Sequence, residues 1–428
     1  MIREVLLSVL LAVLFSLLPA LFRELSQHAI PYYPSTNSSD YATHKIMVKR
    51  GFENPESLFT LSIPFYDNGI GREINLLLIS SYVIVEGHYF DGALKATLLD
   101  AQDMQQSVKN FLDDENVFNL WPLKDKATAK VESKLLGSAK CIAQGPPLPH
   151  NHNTEKFPLH GVTARLVKEG HVQIAGVLHE PLRESVELFN LYYDKNKRPV
   201  LSEMEIKWAG CVPMEEGKFI GDDLAFDSKG QALYVTNVQP SLSHPLFSVY
   251  YAIKGKFGMN VGSILKWNLK EDKFSTVPSS ESVGPNGVAL IDDEIYFAEV
   301  YTGNLCRIRG GKQECIKLGK YFLDGIHKLS DGTLLVVAIH NTITAVACLF
   351  TDFLGHSPFC QAKWDIFHID PTKESIKDGK TLPMTVIAKM NLPSDKHLKH
   401  GMASSVVKVG NCYFFGSSIS DRIAIFCE

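Results

Sequence analysis

One strand–turn–strand pattern recurs five times in this chain and constrains its fold more than any other feature. Each copy opens with His, Asp or Asn, usually followed by Gly and an apolar residue, and continues through a turn into a second apolar strand. The copies begin roughly 40 to 80 residues apart, which suits four-stranded blades with insertions. The sequence therefore predicts an all-β chain folded as a β-propeller. The leading residues of the copies are His160, Asp222, Asn286, Asp324 and His400.

A sixth, degenerate copy is predicted at Gly71–Gly87, GREINLLLISSYVIVEG, a run of β-branched and aliphatic residues with a short break. Its leading positions are Arg72 and Glu73. Together with the five clear copies, this segment predicts a six-bladed β-propeller.

The propeller is expected to fill residues 55–428 as one domain, after a polar linker at 24–54. Residues 101–140 interrupt the strand pattern with apolar residues at helix-like spacing, so a small helical insertion is predicted there. The last residues, DRIAIFCE, read as a short strand that we expect to close the ring by pairing with N-terminal strands.

The N-terminus carries an export signal. Val5–Phe22 contains no charged residue, and its length lies between that of a signal peptide and that of a membrane-spanning helix. Residues 1–23 are interpreted as an uncleaved signal-anchor, because no small-x-small cleavage site follows, or as a cleaved signal peptide. Both interpretations place the chain in the secretory pathway, at the ER or cell-surface membrane or secreted. Asn37 begins a glycosylation sequon, which agrees with that compartment.

Charge and motifs exclude several function classes. The formal net charge is −4, and no basic stripe or aromatic-interleaved basic patch is present, so nucleic acid is not an expected partner. The sequence also lacks the G-x-S-x-G, HExxH and Walker patterns, which argues against serine hydrolases, zincins and NTPases.

Two of the eight cysteines are placed for a local disulfide. A two-residue turn at Gly310–Gly311 sets Cys306 directly opposite Cys315 on neighbouring strands, in a pair whose side chains approach closely. The sequence predicts a cross-strand bond between them. The alternative is two free buried thiols, which behave as small hydrophobic groups.

The repeated leading residues are candidate ligands for a cation. Inner strands of a propeller line its channel, so Asp222, Asn286 and Asp324 are predicted to point at one axial position. Their oxygens suit a hard cation such as calcium. Asp223 follows directly and points elsewhere, which suggests a second cation. The alternative interpretation is that these residues cap turns at strand starts.

Histidines supply candidate acid–base groups. His160 leads its copy and His179 follows the returning strand, an arrangement that suits general-base work on water. Two surface or capping histidines are the alternative. His340 ends a strand and His400 leads the last copy, and both are expected to line the same cavity.

These motifs resemble the paraoxonase/arylesterase family, part of a wider group of six-bladed propellers that includes gluconolactonases. The similarity is strongest in HGVT and VLHEPLRESVELF, within residues 160–189. It continues through GDDLAFD, GPNGVAL, LDGIHKL and VVAIHN to GSSISDRIAIFCE at the C-terminus, and so covers about 160–428. The resemblance implies a calcium ion in the channel and a second, structural calcium beneath it.

Carried over by residue, the resemblance places Asn286 and Asp324 at calcium-ligand positions and Asp222 where the family has a ligand Asn. Asp223 matches a ligand of the structural calcium. His160 and His179 match the family's histidine dyad, and His340 matches a pocket histidine.

The chain departs from the family in two places. Gly325 stands where the family has a further ligand Asn, so Gly325→Asn is expected to strengthen calcium binding. The family's first-blade ligand Glu has no clear counterpart, and the best alignment puts Arg72 there. Cys427 matches a cysteine that pairs with an N-terminal cysteine in the family, for which Cys141 is the candidate here.

Two functions follow from the resemblance. The first is a calcium-dependent hydrolase of lactones or aryl esters, in which the cation polarises the carbonyl and His160, with His179 behind it, activates water. The second is a non-catalytic, membrane-anchored paraoxonase-like protein that binds or assembles a membrane-protein partner, in the manner of a chaperone. The histidine pair, Asn286 and Asp324 favour the enzyme, and Gly325 with the first-blade departure favours the binding protein.

Overall fold

The protein is described by a computed structural model over residues 46–428, except 51, 53, 86–87, 114–116, 122–129, 148–158, 181–182, 215–219, 240–244, 341–363, 378–379, 383, 392–402 and 419–421. Its helices are α1 (Met104–Leu112), α2 (Ala139–Ile142) and α3 (Pro245–Lys256), with a 3-10 turn at Leu201–Glu203. Its strands are β1 (Ile46–Arg50), β2 (Leu58–Asp67), β3 (Ile70–Val85), β4 (His88–Leu99), β5 (Phe118–Trp121), β6 (Lys130–Gly137), β7 (Leu159–Lys168), β8 (His171–Glu180), β9 (Arg183–Tyr192), β10 (Glu205–Pro213), β11 (Ile220–Phe226), β12 (Ala232–Gln239), β13 (Ser263–Asn268), β14 (Ser275–Thr276), β15 (Pro285–Ile291), β16 (Glu294–Glu299), β17 (Asn304–Arg309), β18 (Lys312–Lys317), β19 (Tyr321–Lys328), β20 (Leu334–His340), β21 (Trp364–Asp370), β22 (Ser375–Lys377), β23 (Lys380–Leu382), β24 (Thr385–Asn391), β25 (Ala403–Val409), β26 (Cys412–Ser417) and β27 (Arg422–Cys427).

The strands form six blades around a central channel. From the axis outward, the sheets are β2-β3-β4-β5, β7-β8-β9-β10-β6, β11-β12-β13-β14, β15-β16-β17-β18, β19-β20-β21-β24 and β25-β26-β27-β1, which we number blades 1 to 6. Each inner strand contacts the inner strand of the next blade, and β25 of blade 6 contacts β2 of blade 1. The ring is therefore closed, and the chain is an all-β six-bladed β-propeller.

The ring is closed by the first described strand. β1 pairs antiparallel with β27, from Ile46 opposite Phe426 to Arg50 opposite Arg422. The C-terminal strand thus pairs with an N-terminal one, as the sequence predicts. The propeller begins at Ile46 rather than near residue 55, so the expected linker at 24–54 contributes a strand to the fold.

The core lies between the blades, because each blade is covered on both faces. Alternate residues of a strand point to opposite faces. In β8, Ile174 packs with blade 1 residues, whereas its neighbour Ala175 packs with residues of blade 3. In β20, Leu335 likewise packs with residues of blade 6, whereas its neighbour Leu334 packs with residues of blade 4. The central strands are therefore apolar on both sides, which explains runs such as LLVVAI.

Blade 1 is arranged differently from the prediction. Gly71–Gly87 falls mostly in β3, the second strand of the blade, and the inner strand is β2. Arg72 lies away from the axis, where it is half-exposed and its Nη1 is 3.5 Å from Asp67 Oδ2. The predicted sixth copy was therefore placed one strand too late, and Arg72 occupies no axial position.

The expected helical insertion at 101–140 is only partly helical. α1 covers Met104–Leu112 and begins at Asp103, whose side chain accepts a hydrogen bond from the amide of Gln106. The same region also supplies β5 to blade 1 and β6 to blade 2. β6 pairs parallel to β10 as a fifth, outer strand, a non-local pairing that spacing within the segment cannot reveal.

Three disulfides join described residues, which is compatible with a secreted or extracellular protein. Cys306 and Cys315 are bonded across β17 and β18 with their Cα atoms 4.0 Å apart, in the register that the sequence predicts. The other two differ from the family-based expectation: Cys427 is bonded to Cys412 of the neighbouring strand, and Cys141 to Cys211.

Some predicted features lie outside the described residues, namely the N-terminal segment 1–23, Asn37 and His400. Among the helices that the structure describes, none combines the length and the apolar character needed to span a bilayer.

Candidate cation site at the propeller axis

A β-bulge places the leading residue of each inner strand in blades 2 to 5. The register of each of these strands with its neighbour shifts at the leading residue, so this residue leaves the regular ladder. The inner strand of blade 6 has a similar shift at Ser404, whereas its leading residue, His400, lies outside the described residues. A bulge redirects side chains locally and is common beside functional sites. This shared irregularity is the physical basis of the polar repeat. The bulges lie at His160–Gly161, Asp222–Asp223, Asn286–Gly287, Asp324–Gly325 and Ser404.

Glycine follows the leading residue because the inner strands approach one another closely. A Cβ atom at Gly161 would lie 2.2 Å from the carbonyl oxygen of Asp222 in the next blade. At Gly325 it would lie 2.5 Å from the carbonyl oxygen of Ser404. Both distances are too short for any Cβ contact, so the glycines are a steric requirement of the ring at its axis.

Gly325→Asn is therefore expected to destabilise the protein by about 1–3 kcal/mol rather than to repair a ligand, because the new Cβ overlaps the backbone of blade 6. Denaturant unfolding measures the change. Gly332→Asn is the matched control: it lies in a turn with φ +82° and open space around it, and Asn tolerates this conformation. Equal stabilities of the two variants would contradict the steric argument. The earlier expectation of stronger calcium binding is thus replaced.

Glu56 is the axial residue of blade 1. It lies two residues before the start of β2, and its Oε1 lies 3.3 Å from His160 Nε2. The other nitrogen of the His160 imidazole, Nδ1, lies 2.7 Å from Asp222 Oδ1. One ligand atom from each of these three residues lies within 4.8 Å of the other two. A first-blade carboxylate is therefore present, at a position that the sequence analysis assigned to Arg72.

The remaining predicted ligands line the same cavity. Asn286 and Asp324 face a channel cavity of about 320 Å³ together with Glu56, His160 and Asp222. Asp324 is buried, with 5% of its surface exposed. Side chains from blades 1 to 5 thus converge at one end of the channel.

Burial and mutual repulsion disturb the ionisation of this cluster. Burial, and then the charges of Glu56 and Asp222, hold the pKa of Asp324 well above its usual range. Burial alone would lower the pKa of His160, but the two carboxylates beside it outweigh burial and raise this pKa to about 10. The cluster therefore has an excess of negative charge that one imidazolium only partly balances.

Asp223 links two blades. Its Oδ1 accepts a hydrogen bond from the amide of Leu224 at 2.8 Å, and its Oδ2 accepts one from the amide of Val288 in blade 4 at 3.0 Å. Burial raises its pKa to about 7 despite these bonds. Both oxygens are turned to backbone donors, so Asp223 joins the inner strands of blades 3 and 4.

His179 stands behind His160. The two rings meet edge to face with centroids 5.0 Å apart, and His179 is buried. Its Nδ1 is 2.7 Å from Oε1 of Glu184, at the start of the next strand. The sequence analysis missed Glu184, although its place opposite His179 across the turn is a usable signal.

His340 does not reach the cavity. Its Nε2 is 2.6 Å from Asp365 Oδ2, the same oxygen that Lys389 contacts at 2.8 Å. Its side chain is 40% exposed, and it is not among the residues that line the channel cavity. The prediction that His340 lines the pocket is corrected: this last residue of β20 contacts Tyr321 of β19 and Asp365 of β21, the neighbouring strands of its own blade.

The donor set fits a hard cation. Glu56, Asp222 and Asp324 are carboxylates and Asn286 is an amide, so four blades offer oxygen, which is what calcium prefers. Among the described residues of the cluster, His160 is the one positive group beside the buried carboxylates of Glu56, Asp222 and Asp324, so a divalent ion would neutralise the remaining negative charge. The residues present therefore fit the group that the resemblance implies.

Comparisons with known proteins bear on the fold alone. No family model matches the chain, and no curated protein does. Among solved structures, a nidogen/laminin complex is 9% identical over 80% of this chain and 85% of its own, with a TM-score of 0.40. The Trypanosoma rangeli sialidase is 7% identical over 89% of this chain and 58% of its own, with a TM-score of 0.40. The Cps50 (Swd1) β-propeller domain of Myceliophteria thermophila is 9% identical over 89% of this chain and 99% of its own, with a TM-score of 0.38. At such distances the assignment of six blades rests on the sheets of this chain.

Proposed function

We propose that the axial cluster holds a calcium ion and that the protein is a calcium-dependent hydrolase of lactones or aryl esters. The observation that carries the proposal is Glu56: with it, oxygen-bearing side chains of four blades face one end of the channel. The residues that would hold the ion are Glu56, Asp222, Asn286 and Asp324.

When bound there, calcium polarises the ester carbonyl and stabilises the negative charge that develops on its oxygen. His160 is unsuited to act as the base in this arrangement. Both of its nitrogens face carboxylates, so it holds a proton on each and donates to Glu56 and Asp222. Its part is to hold those two carboxylates in place.

His179 is the better candidate for the base. Its Nδ1 donates to the carboxylate of Glu184, which fixes the neutral tautomer with the lone pair on Nε2. An imidazole oriented by a carboxylate can take a proton from water. We therefore assign proton abstraction to His179, instead of His160, and orientation of its ring to Glu184.

Calcium should raise the melting temperature of the wild-type protein, since an ion that binds only the folded chain adds about 2.7 kcal/mol at a hundredfold excess over Kd. Glu56→Gln is expected to weaken calcium binding roughly 10-fold or more, because it removes a ligand charge. Calorimetric titration measures Kd.

Glu73→Gln is the matched control, because Glu73 lies on β3, accepts a hydrogen bond from Ser62 and stands outside the cluster. Unchanged calcium affinity in Glu56→Gln, or an equal loss in Glu73→Gln, would place the ion elsewhere.

A second candidate is favoured by the pairing of His160. If that imidazolium permanently ties Glu56 to Asp222, the chain is a non-catalytic binding protein, placed at a membrane by residues 1–23 and acting on a membrane-protein partner. Whether or not it binds calcium, the purified wild-type protein would then hydrolyse a δ-lactone and phenyl acetate no faster than a His179→Gln variant does.

A further inference from the structure

Glu56 is held in place in a way that differs from the other axial residues. β2 and β3 pair without a register shift, so blade 1 has no bulge to direct its leading residue. Glu56 lies before β2 begins, outside the ladder altogether. Its position must therefore be set by contacts from another part of the ring.

Two serines of blade 6 supply these contacts. The hydroxyl groups of Ser404 and Ser405 both donate to the carbonyl oxygen of Glu56, at 2.7 Å and 2.5 Å. Ser405 Oγ also accepts a hydrogen bond from the amide of Leu58 at 3.2 Å. Both serines are buried, with 2% and 8% of their surfaces exposed. One side chain thus bridges the residues on either side of Ser57 and fixes the backbone that carries the carboxylate.

Blade 6 also approaches the residue before Glu56 closely. The amide of Ser417 donates to the carbonyl oxygen of Pro55 at 2.8 Å. A Cβ atom at Gly416 would lie 2.3 Å from that same oxygen. Blade 6 therefore contacts the backbone of both Pro55 and Glu56, the segment that leads from β1 into blade 1. We call this boundary between blades 6 and 1, together with the β1–β27 pairing, the seam of the propeller.

We propose that Ser404 and Ser405 are positioning residues that aim Glu56 at the axial cation, so that the site is complete only when blade 6 is closed on blade 1. This inference rests on the proposed function, because it concerns the same cation. It follows by reciprocity that a bound cation stabilises closure of the seam as much as closure strengthens binding of the cation.

Ser405→Ala is expected to raise the Kd for calcium roughly 5-fold or more, because it removes one donor and one acceptor from the backbone around Glu56. Calorimetric titration of the full chain measures this change. Should Ser405→Ala fail to fold, Ser404→Ala removes one of the two donors to Glu56 and gives the same comparison.

Ser280→Ala is the matched control for a structural effect. Ser280 is fully buried and bonds to backbone in the same manner, accepting from Ile264 and donating to Val277, but far from the axis in blade 3. It should lower stability without changing Kd. Equal Kd values in wild type, Ser405→Ala and Ser280→Ala would show that the blade 6 serines are structural only, and would overturn the inference while leaving the proposed function standing.

Amide hydrogen exchange supplies an independent readout. Calcium should slow exchange along β1 and β27 in the wild type, and less so in Ser405→Ala. If titration shows that the protein binds calcium but exchange along β1 and β27 does not change, the proposed coupling between calcium binding and closure of the seam is overturned. Absence of calcium binding by the wild type would overturn the proposed function and this inference together.

Discussion

Replacement of His179 by glutamine is expected to lower kcat for lactone or aryl-ester hydrolysis by roughly 100-fold or more, the usual contribution of a general base. The reason is geometric. Glu184 Oε1 lies 2.7 Å from Nδ1 of His179, so in the proposed mechanism Nε2 is the atom that would accept a proton from water. A glutamine amide has the size to fill the site but could not accept that proton. Steady-state kinetics at saturating calcium measure the effect, and Kd for calcium should change little, because His179 is not among the proposed ligands and stands behind His160.

His340→Gln is the matched control. His340 is also a histidine paired with a carboxylate, at 2.6 Å from Asp365, but its ring packs against Tyr321, whereas the ring of His179 packs against the axial His160. Its replacement should leave kcat unchanged. Glu184→Gln should lower kcat to a smaller extent, since the ring of His179 loses the carboxylate that orients it. Full activity in His179→Gln, with activity lost in His160→Gln that still binds calcium, would return the base to His160.

The repeat was readable from the sequence because its cause is local. A polar residue, a glycine and an apolar residue are what a bulged inner strand needs where neighbouring strands nearly touch. The same holds for Cys306 and Cys315, which a tight turn brings together over nine residues. Asn286 and Asp324, which lead two of these strands, both line the channel cavity.

Glu56 was not readable for the opposite reason. It has no bulge and no following glycine, and its backbone is held by Ser404, which is 348 residues away in sequence. The apolar run in β3 gave the stronger strand signal and drew the prediction to Arg72. Cys141 and Cys211, separated by 70 residues, were missed in the same way. A contact between residues so far apart in sequence leaves no local pattern around either residue.

The pairing of His160 was also beyond sequence reasoning. A histidine that leads an inner strand reads as a base, because an unperturbed imidazole is neutral near pH 7. Its actual character depends on carboxylates from two other blades, which together raise its pKa to about 10. Three-dimensional convergence, rather than residue type, decides whether this side chain accepts or donates protons.

In calcium-free protein, the free energy of unfolding is expected to fall by a few kcal/mol as the pH rises from about 7 to 9.5. The pKa of His160 is raised from 6.5 to about 10, so the stability it contributes is complete below pH 6.5 and is lost as the pH approaches 10. Asp324, whose pKa is raised well above 3.8, acts in the same direction, because its protonated form belongs to the folded state. Asp223, with a pKa raised to about 7, adds a decline of the same sign, but mainly between about pH 4 and 7, below this interval. Below pH 6.5 the trend is opposed by His327, whose burial lowers its pKa to about 4, so that folding there favours loss of its proton.

Calcium should remove most of this decline, because a bound ion would balance the negative charge of the cluster in place of the protons on His160 and Asp324. The rise in melting temperature on adding calcium is therefore expected to be larger at pH 9 than at pH 7, and Kd should fall over the same interval as protons cease to compete. Thermal unfolding with EDTA or with calcium, measured across this range, tests both statements. Glu56→Gln serves as the control, since it removes one of the two carboxylates that hold the proton on His160 and should flatten the calcium-free profile. A calcium-free wild type that gains stability between pH 7 and 9.5 would mean that the axial carboxylates are balanced by something other than His160, and the cation site would have to be rebuilt on a different set of charges.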